Sequence, residues 1–173
     1  MNLGQRIMVF GSSGSGKSTM ARRIGEVTGL PVVHMDTIWW KPGWVATPRD
    51  EVYARHAAAI AEPAWVFDGN YSSTRDERMQ RADTVIFLDF NRCTCLWRVL
   101  KRRVMFHGKT RPDLTEGCPE KIDLAFLKFV WVHFPRKRPS VLTWLAEIPP
   151  HKQVFHLKGR RAVKKFLAQL EER

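Results

Sequence analysis

Eight consecutive residues, Gly11-Ser12-Ser13-Gly14-Ser15-Gly16-Lys17-Ser18, satisfy the pattern G-x-x-x-x-G-K-[ST] at every fixed position. The glycines let the chain turn tightly, so that successive N–H groups point inward at an anion. Lys17 can reach the β- and γ-phosphates of a nucleoside triphosphate, and the Ser18 hydroxyl suits Mg²⁺. Thr19 and the residues after it open a helix, whose positive dipole end adds to the attraction. A flexible serine–glycine linker has no need of the Gly-Lys-Ser-Thr ending. Residues 11–19 are therefore read as the cradle for the phosphates of ATP.

A magnesium ion held by one hydroxyl needs a carboxylate nearby, directly or through water. Asp36, Asp68 and Asp89 each end or follow an apolar run that reads as a strand. Asp68 closes Trp65-Val66-Phe67, a run suited to burial on both sides, and is the expected partner of Ser18 for the metal. Asp68-Gly69 also fits a simple turn. Asp36 can take a proton from an acceptor hydroxyl, contribute to the Mg²⁺ site, or cap a turn. Asp89 reads as a turn residue.

Cations are the third ingredient. A transferring phosphoryl group spreads negative charge over its oxygens, and arginines stabilise it in a closed site. Arg98, Arg102 and Arg103 fall on one predicted helix and Arg111 in the loop after it. The spacing of four puts Arg98 and Arg102 on one face. Together with Lys17 and Asp36, Arg98 and Arg102 are the expected catalytic groups. For the acceptor, the candidates are Asp36, Trp39, Trp44, Asn70, Arg75 and Arg111, with Arg78 as a second clamp. The tryptophans of residues 36–44 suit a stacking pocket and equally the edge of a core.

These groups need a frame. Apolar runs at 5–10, 30–34, 64–68, 84–88 and 153–157 alternate with helical patterns, which predicts a parallel α/β sheet. Helices are expected at 17–28, 48–61, 73–81, 92–105, 119–134, 141–148 and 161–171. Thr47 reads as an N-cap ahead of Pro48, with Asp50 completing a capping box. Residues 106–118 form a loop. The ligand of such a sheet sits at the carboxyl ends of its strands, where the three aspartates fall.

The chain has 173 residues, is 44% hydrophobic and 27% charged, and carries a net charge of +12. Those values predict one domain, 1–173, with a full core, and exclude a disordered chain. No apolar run has membrane-spanning length, and a strand begins too early for a signal peptide, so a cytoplasmic protein is expected. Cys93, Cys95 and Cys118 are too few for a zinc ribbon and read as inert thiols. The basic charge suits polyphosphate handling, and it also suits nucleic acid, although no DNA-reading motif is found.

The phosphate loop, His34-Met35-Asp36 with the tryptophans, Trp65-Val66-Phe67-Asp68-Gly69-Asn70-Tyr71 and Gly117-Cys118-Pro119-Glu120 resemble the adenylate-kinase-related family. Within it they look like the group labelled DNA topology modulation protein FlaR. The resemblance covers nearly the whole chain. It implies a three-layer P-loop NTPase, nucleotide-kinase-like, with five parallel strands in the order 2-3-1-4-5. It also implies an acceptor-binding segment over 35–62 and a lid loop over 106–118. Asn70-Tyr71-Ser72 stands where adenylate kinases carry Phe-Pro-Arg, so the arginine that grips the acceptor phosphate has no counterpart there; Arg75 is the nearest. The expected activity is transfer of the γ-phosphate of Mg-ATP to a small acceptor. The alternative is a nucleotide-switched, DNA-associated regulator of topology.

Overall fold

The computed structural model describes residues 1–172. Five parallel strands, β1 (Arg6–Gly11), β2 (Val32–His34), β3 (Trp65–Asp68), β4 (Thr84–Asp89) and β5 (Gln153–Lys158), form one sheet in the order β2-β3-β1-β4-β5. The expected order 2-3-1-4-5 is therefore found. The central strands read as continuous apolar runs because both faces are covered. Every residue of β3 and β4 is buried, and all of β1 but its first residue.

The two faces divide by the strand's period of two. Ile7, Val9, Val66, Ile86 and Leu88 face helices α1 (Lys17–Thr28), α5 (Arg92–Met105) and α8 (Gly159–Glu171), through Ile24, Val99 and Phe166 among others. Met8, Phe10, Trp65, Phe67, Val85 and Phe87 face the other way. They meet α2 (Met35–Trp39), α3 (Arg49–Ala61) and α7 (Phe134–Ala146) through Ile38, Val52 and Leu145. The short helix α4 (Arg75–Arg81) leads into β4. Among the described residues, no helix is long and apolar enough to cross a membrane.

Three local expectations are corrected. Residues 119–123 are not helical; α6 (Leu124–Lys128) starts behind Asp123, whose carboxylate accepts from the Phe126 N–H at 2.7 Å. The chain then winds as a π-turn over Phe129–His133 and continues as α7 to Ala146, in place of two separate helices. Pro135 has no N–H to give to the turn before it, which accounts for the loosened winding ahead of that residue. Thr47 does not cap α3. Pro48 holds the cap position, while the Thr47 hydroxyl is buried without a hydrogen-bond partner among the described residues. A small antiparallel hairpin, Trp40–Lys41 with Val45–Ala46, turns on Pro42-Gly43-Trp44 inside the aromatic segment.

Candidate active site

The loop between β1 and α1 is built by its glycines. Gly14 has φ +82, and a Cβ there would lie 2.3 Å from the Cys95 carbonyl oxygen. Gly16 caps α1 in the left-handed conformation with no side chain spent on the cap. Within the loop the Ser15 N–H turns back to Ser12 O at 3.0 Å, and in the helix Met20 is the first to donate back, to Gly16 O at 2.9 Å. The amides of Lys17, Ser18 and Thr19 thus head a 12-residue helix and stand free for an anion. Ser12 and Ser15 are buried, and the Ser15 hydroxyl has no hydrogen-bond partner among the described residues. Ser13 is half-buried. Gly11 is pinned from the side: Asn70 Oδ1 accepts from its N–H at 3.1 Å, and Asn70 Nδ2 donates to its carbonyl at 2.6 Å. Asn70, expected at the acceptor, has its amide committed to the loop.

Asp68 stands at the carboxyl end of β3, directly in register with His34 at the end of β2. His34 Nδ1 lies 2.8 Å from Asp68 Oδ2. Burial alone would raise the Asp68 carboxyl, but Lys17, His34 and Ser18 outweigh it and hold the group below the usual carboxylate range. The other oxygen, Oδ1, is buried with no hydrogen-bond partner among the described residues. An acceptor-only oxygen left bare beside Ser18 fits a cation. Among the described residues no three His, Cys, Asp or Glu side chains gather into an all-protein cage. The donor set suits Mg²⁺, which takes few protein ligands and fills its shell with phosphate and water.

Asp36 lies in the first turn of α2, half-buried. Its carboxylate has no hydrogen bond or ion pair among the described residues. Asp89 has a larger part than a turn. It receives Arg138 from α7 through both oxygens, at 2.8–3.2 Å, and His156 Nε2 at 2.7 Å. Burial would raise its carboxyl, and Arg138 and His156 together bring it below the ordinary value.

The basic middle of the chain closes over a cavity of about 530 Å³ that runs from Gly14–Arg23 to Val163 and Leu167. Arg98 Nη1 donates to Ser15 O at 2.8 Å, so this arginine braces the loop from behind while its guanidinium covers the Phe90 ring. Arg102 and Arg111 line the same cavity and converge on one buried carboxylate, Glu120, at 3.0 and 2.6 Å. Arg111 also pairs with Asp113 at 2.6 Å. Burial and then the neighbouring Arg111 draw the Arg102 guanidinium below its usual range.

The acceptor candidates fall in two groups. Trp39 lies 4.8 Å from the Tyr71 ring, between the core and the β3 end. Trp44 faces residues 119–121 instead, its Nε1 donating to Pro119 O at 2.9 Å and its ring under the Lys121 ammonium. The loop 106–118 is tied to the aromatic segment by three bonds: Gly43 N to Gly117 O at 2.9 Å, Thr115 Oγ1 to Trp40 O, and Cys118 Sγ to Lys41 O at 3.3 Å. Arg75 lies over Trp144 and bonds Asp76. Arg78, expected as an acceptor clamp, is fully buried and donates to the carbonyls of Gly69 and Tyr71. It shapes the turn after β3 from within. Desolvation brings its guanidinium down to about 10.

Sequence reasoning had not singled out His34, Glu120 or Asp113. His34 was legible as the last residue of β2, and Glu120 only as the end of Gly117-Cys118-Pro119-Glu120.

No protein-family model matches the chain, and no curated protein matches it in sequence. Solved structures do match in fold. A gluconokinase from Sinorhizobium meliloti 1021 is 20% identical at a TM-score of 0.53, covering 99% of this chain and 96% of that one. A shikimate kinase from Bacteroides thetaiotaomicron is 18% identical at 0.55, covering 97% and 96%. A shikimate kinase from Acinetobacter baumannii, in complex with shikimate, is 14% identical at 0.57, covering 96% and 90%. The chain has the fold of these P-loop kinases.

Proposed function

We propose that the chain is an ATP-dependent phosphotransferase of the nucleoside- and nucleotide-kinase type, acting on a hydroxyl of a small acceptor. One observation carries this reading: the phosphate loop and Arg98, Arg102 and Arg111 line one cavity from separate elements, and Asp68, with one bare oxygen, interacts with Lys17 and Ser18 of that loop. Amides of residues 12–18 and Lys17 hold the phosphates. Ser18 and Asp68 hold Mg²⁺, which, when bound, draws electron density from the phosphate oxygens. Arg102 and Arg111 face the phosphoryl group as it moves, and Arg98 fixes the loop that carries it. The acceptor oxygen bonds to the γ-phosphorus, the bridge to the β-phosphate breaks, and the hydroxyl proton passes to Asp36. ADP and a phosphate monoester result.

An alcohol suits this acceptor side better than a second phosphate. Asp36 is a carboxylate with no cation paired to it. Arg75, the nearest substitute for the missing arginine, is spent on Trp144 and Asp76. In this reading the acceptor segment 35–62 and the lid loop 106–118 are parts of one domain. The narrower likeness to proteins labelled for DNA topology modulation stays with the sequence segments. Among the described residues no contact favours a DNA-associated switch: Arg98, Arg102, Arg111 and Arg138 bond carbonyls and carboxylates of the protein.

The test is ADP release by wild type and Lys17→Ala with Mg-ATP and a panel of nucleosides, sugars, polyols and nucleoside monophosphates. We expect turnover with a hydroxyl acceptor in wild type and at least about a hundredfold less in the variant. A wild-type protein that binds no ATP and phosphorylates nothing on the panel sinks the proposal.

A further inference from the structure

Of the two Asp68 carboxylate oxygens, Oδ2 has a hydrogen-bond partner at 2.8 Å and Oδ1 has none among the described residues. His34 takes Oδ2 at 2.8 Å, and both side chains are nearly excluded from solvent, at 11% and 5% exposed. The pairing is set by strand register, since His34 and Asp68 are Cα partners across β2 and β3. It depends on no mobile loop. A carboxylate accepts and cannot donate, so the proton of this bond sits on His34 Nδ1. The terminal torsion of an aspartate is broad and nearly two-fold, and the backbone therefore leaves its two oxygens equivalent. His34 removes that equivalence. With Oδ2 occupied, Oδ1 is the oxygen left bare. The His34 carbonyl accepts from Thr37 Oγ1 at 2.8 Å, which ties the start of α2 to the strand end that carries the imidazole.

We propose that His34 is a positioning residue for the metal of the nucleotide: by holding Oδ2 it fixes the rotamer in which Asp68 Oδ1 serves the cation beside Ser18. The proposal rests on the Mg-nucleotide reading above. A histidine that only stabilised the strand ends would leave the metal dependence of nucleotide binding unchanged. An orienting histidine changes that dependence and little else. Partners that orient a ligating group are commonly worth about 10–100-fold in metal affinity.

The experiment measures ADP affinity by calorimetry, once in EDTA and once in saturating Mn²⁺, for wild type, His34→Phe and His34→Asn. Phe removes the donor and Asn restores an N–H. The expected result is a metal-dependent gain in wild type that falls by about 10–100-fold in His34→Phe. Metal-free ADP affinity should stay within about twofold, and His34→Asn should recover part of the gain. Should His34→Phe not fold, His34→Ala decides on the same terms. A variant that keeps the wild-type metal gain overturns the proposal, as does one that loses ADP equally with and without metal. A wild type that binds ADP with no metal gain overturns the Mg-nucleotide reading itself, and the role of His34 with it.

Discussion

Glu120 is the group on which Arg102 of α5 and Arg111 of the following loop both converge. It is almost wholly buried and lies 3.0 Å from Arg102 and 2.6 Å from Arg111. Asp113 supplies the second carboxylate, so two positive and two negative charges balance within the cluster. Glu120→Gln keeps the shape and removes one charge. Stripping a partner from a buried pair costs about 3–5 kcal/mol, because the remaining charge is left desolvated. Arg102 keeps 24% of its side-chain surface exposed, and water there screens part of the loss. About 2–4 kcal/mol is the reasoned value. For a chain of this size that corresponds to a Tm lower by roughly 5–12 °C. The assay is thermal unfolding by circular dichroism for wild type, Glu120→Gln, Arg102→Met and the double variant. The two changes should couple by about 1–3 kcal/mol, with the double variant less damaged than the sum. A Tm within 1–2 °C of wild type (roughly half a kcal/mol), or strict additivity, would refute the reasoning and leave the cluster as surface charge.

Two further outcomes follow from the packing. His56 is fully buried, and desolvation followed by Arg78 lowers its pKa to about 4. The unfolded chain binds that proton below about 6.5 while the folded chain refuses it until about 4, so stability falls as pH drops through this window. His56→Phe should flatten the Tm profile there, and an unchanged slope refutes the assignment. The loss below about 3.8, where Asp68, Asp83 and Asp89 carry depressed values, should survive the substitution, because those carboxylates contribute stability only while ionised. Gly14→Ala puts a Cβ 2.3 Å from a backbone oxygen at φ +82. It should lower Tm and abolish the Tm increase produced by ADP; a wild-type response to ADP would show that the loop tolerates the side chain.

The fold was legible because it is written in local patterns. A phosphate-loop sequence after a short apolar run needs a strand and a helix around it, and alternation of that kind leads to a parallel sheet. The carboxylates were legible for the same reason, since strand ends can be read residue by residue. Their partners were not. His34 lies 34 positions from Asp68, and only the register of β2 against β3 brings them together. Arg102 meets Glu120 across 18 positions, through a loop with no period to read. Arginines posed the opposite difficulty. Arg78 and Arg75 looked alike on a short helix, yet one is buried under the β3 turn and the other lies on Trp144. A guanidinium carries five donors, and the chain uses them wherever bare carbonyls need satisfying. Counting cations near a phosphate loop therefore overstates how many are free for substrate. Arg98, Arg78 and Arg138 each hold protein groups in position, whereas Arg102 and Arg111 line the cavity with their charge balanced by acids. That balance separates a site assembled before its ligand from a basic surface that waits for one.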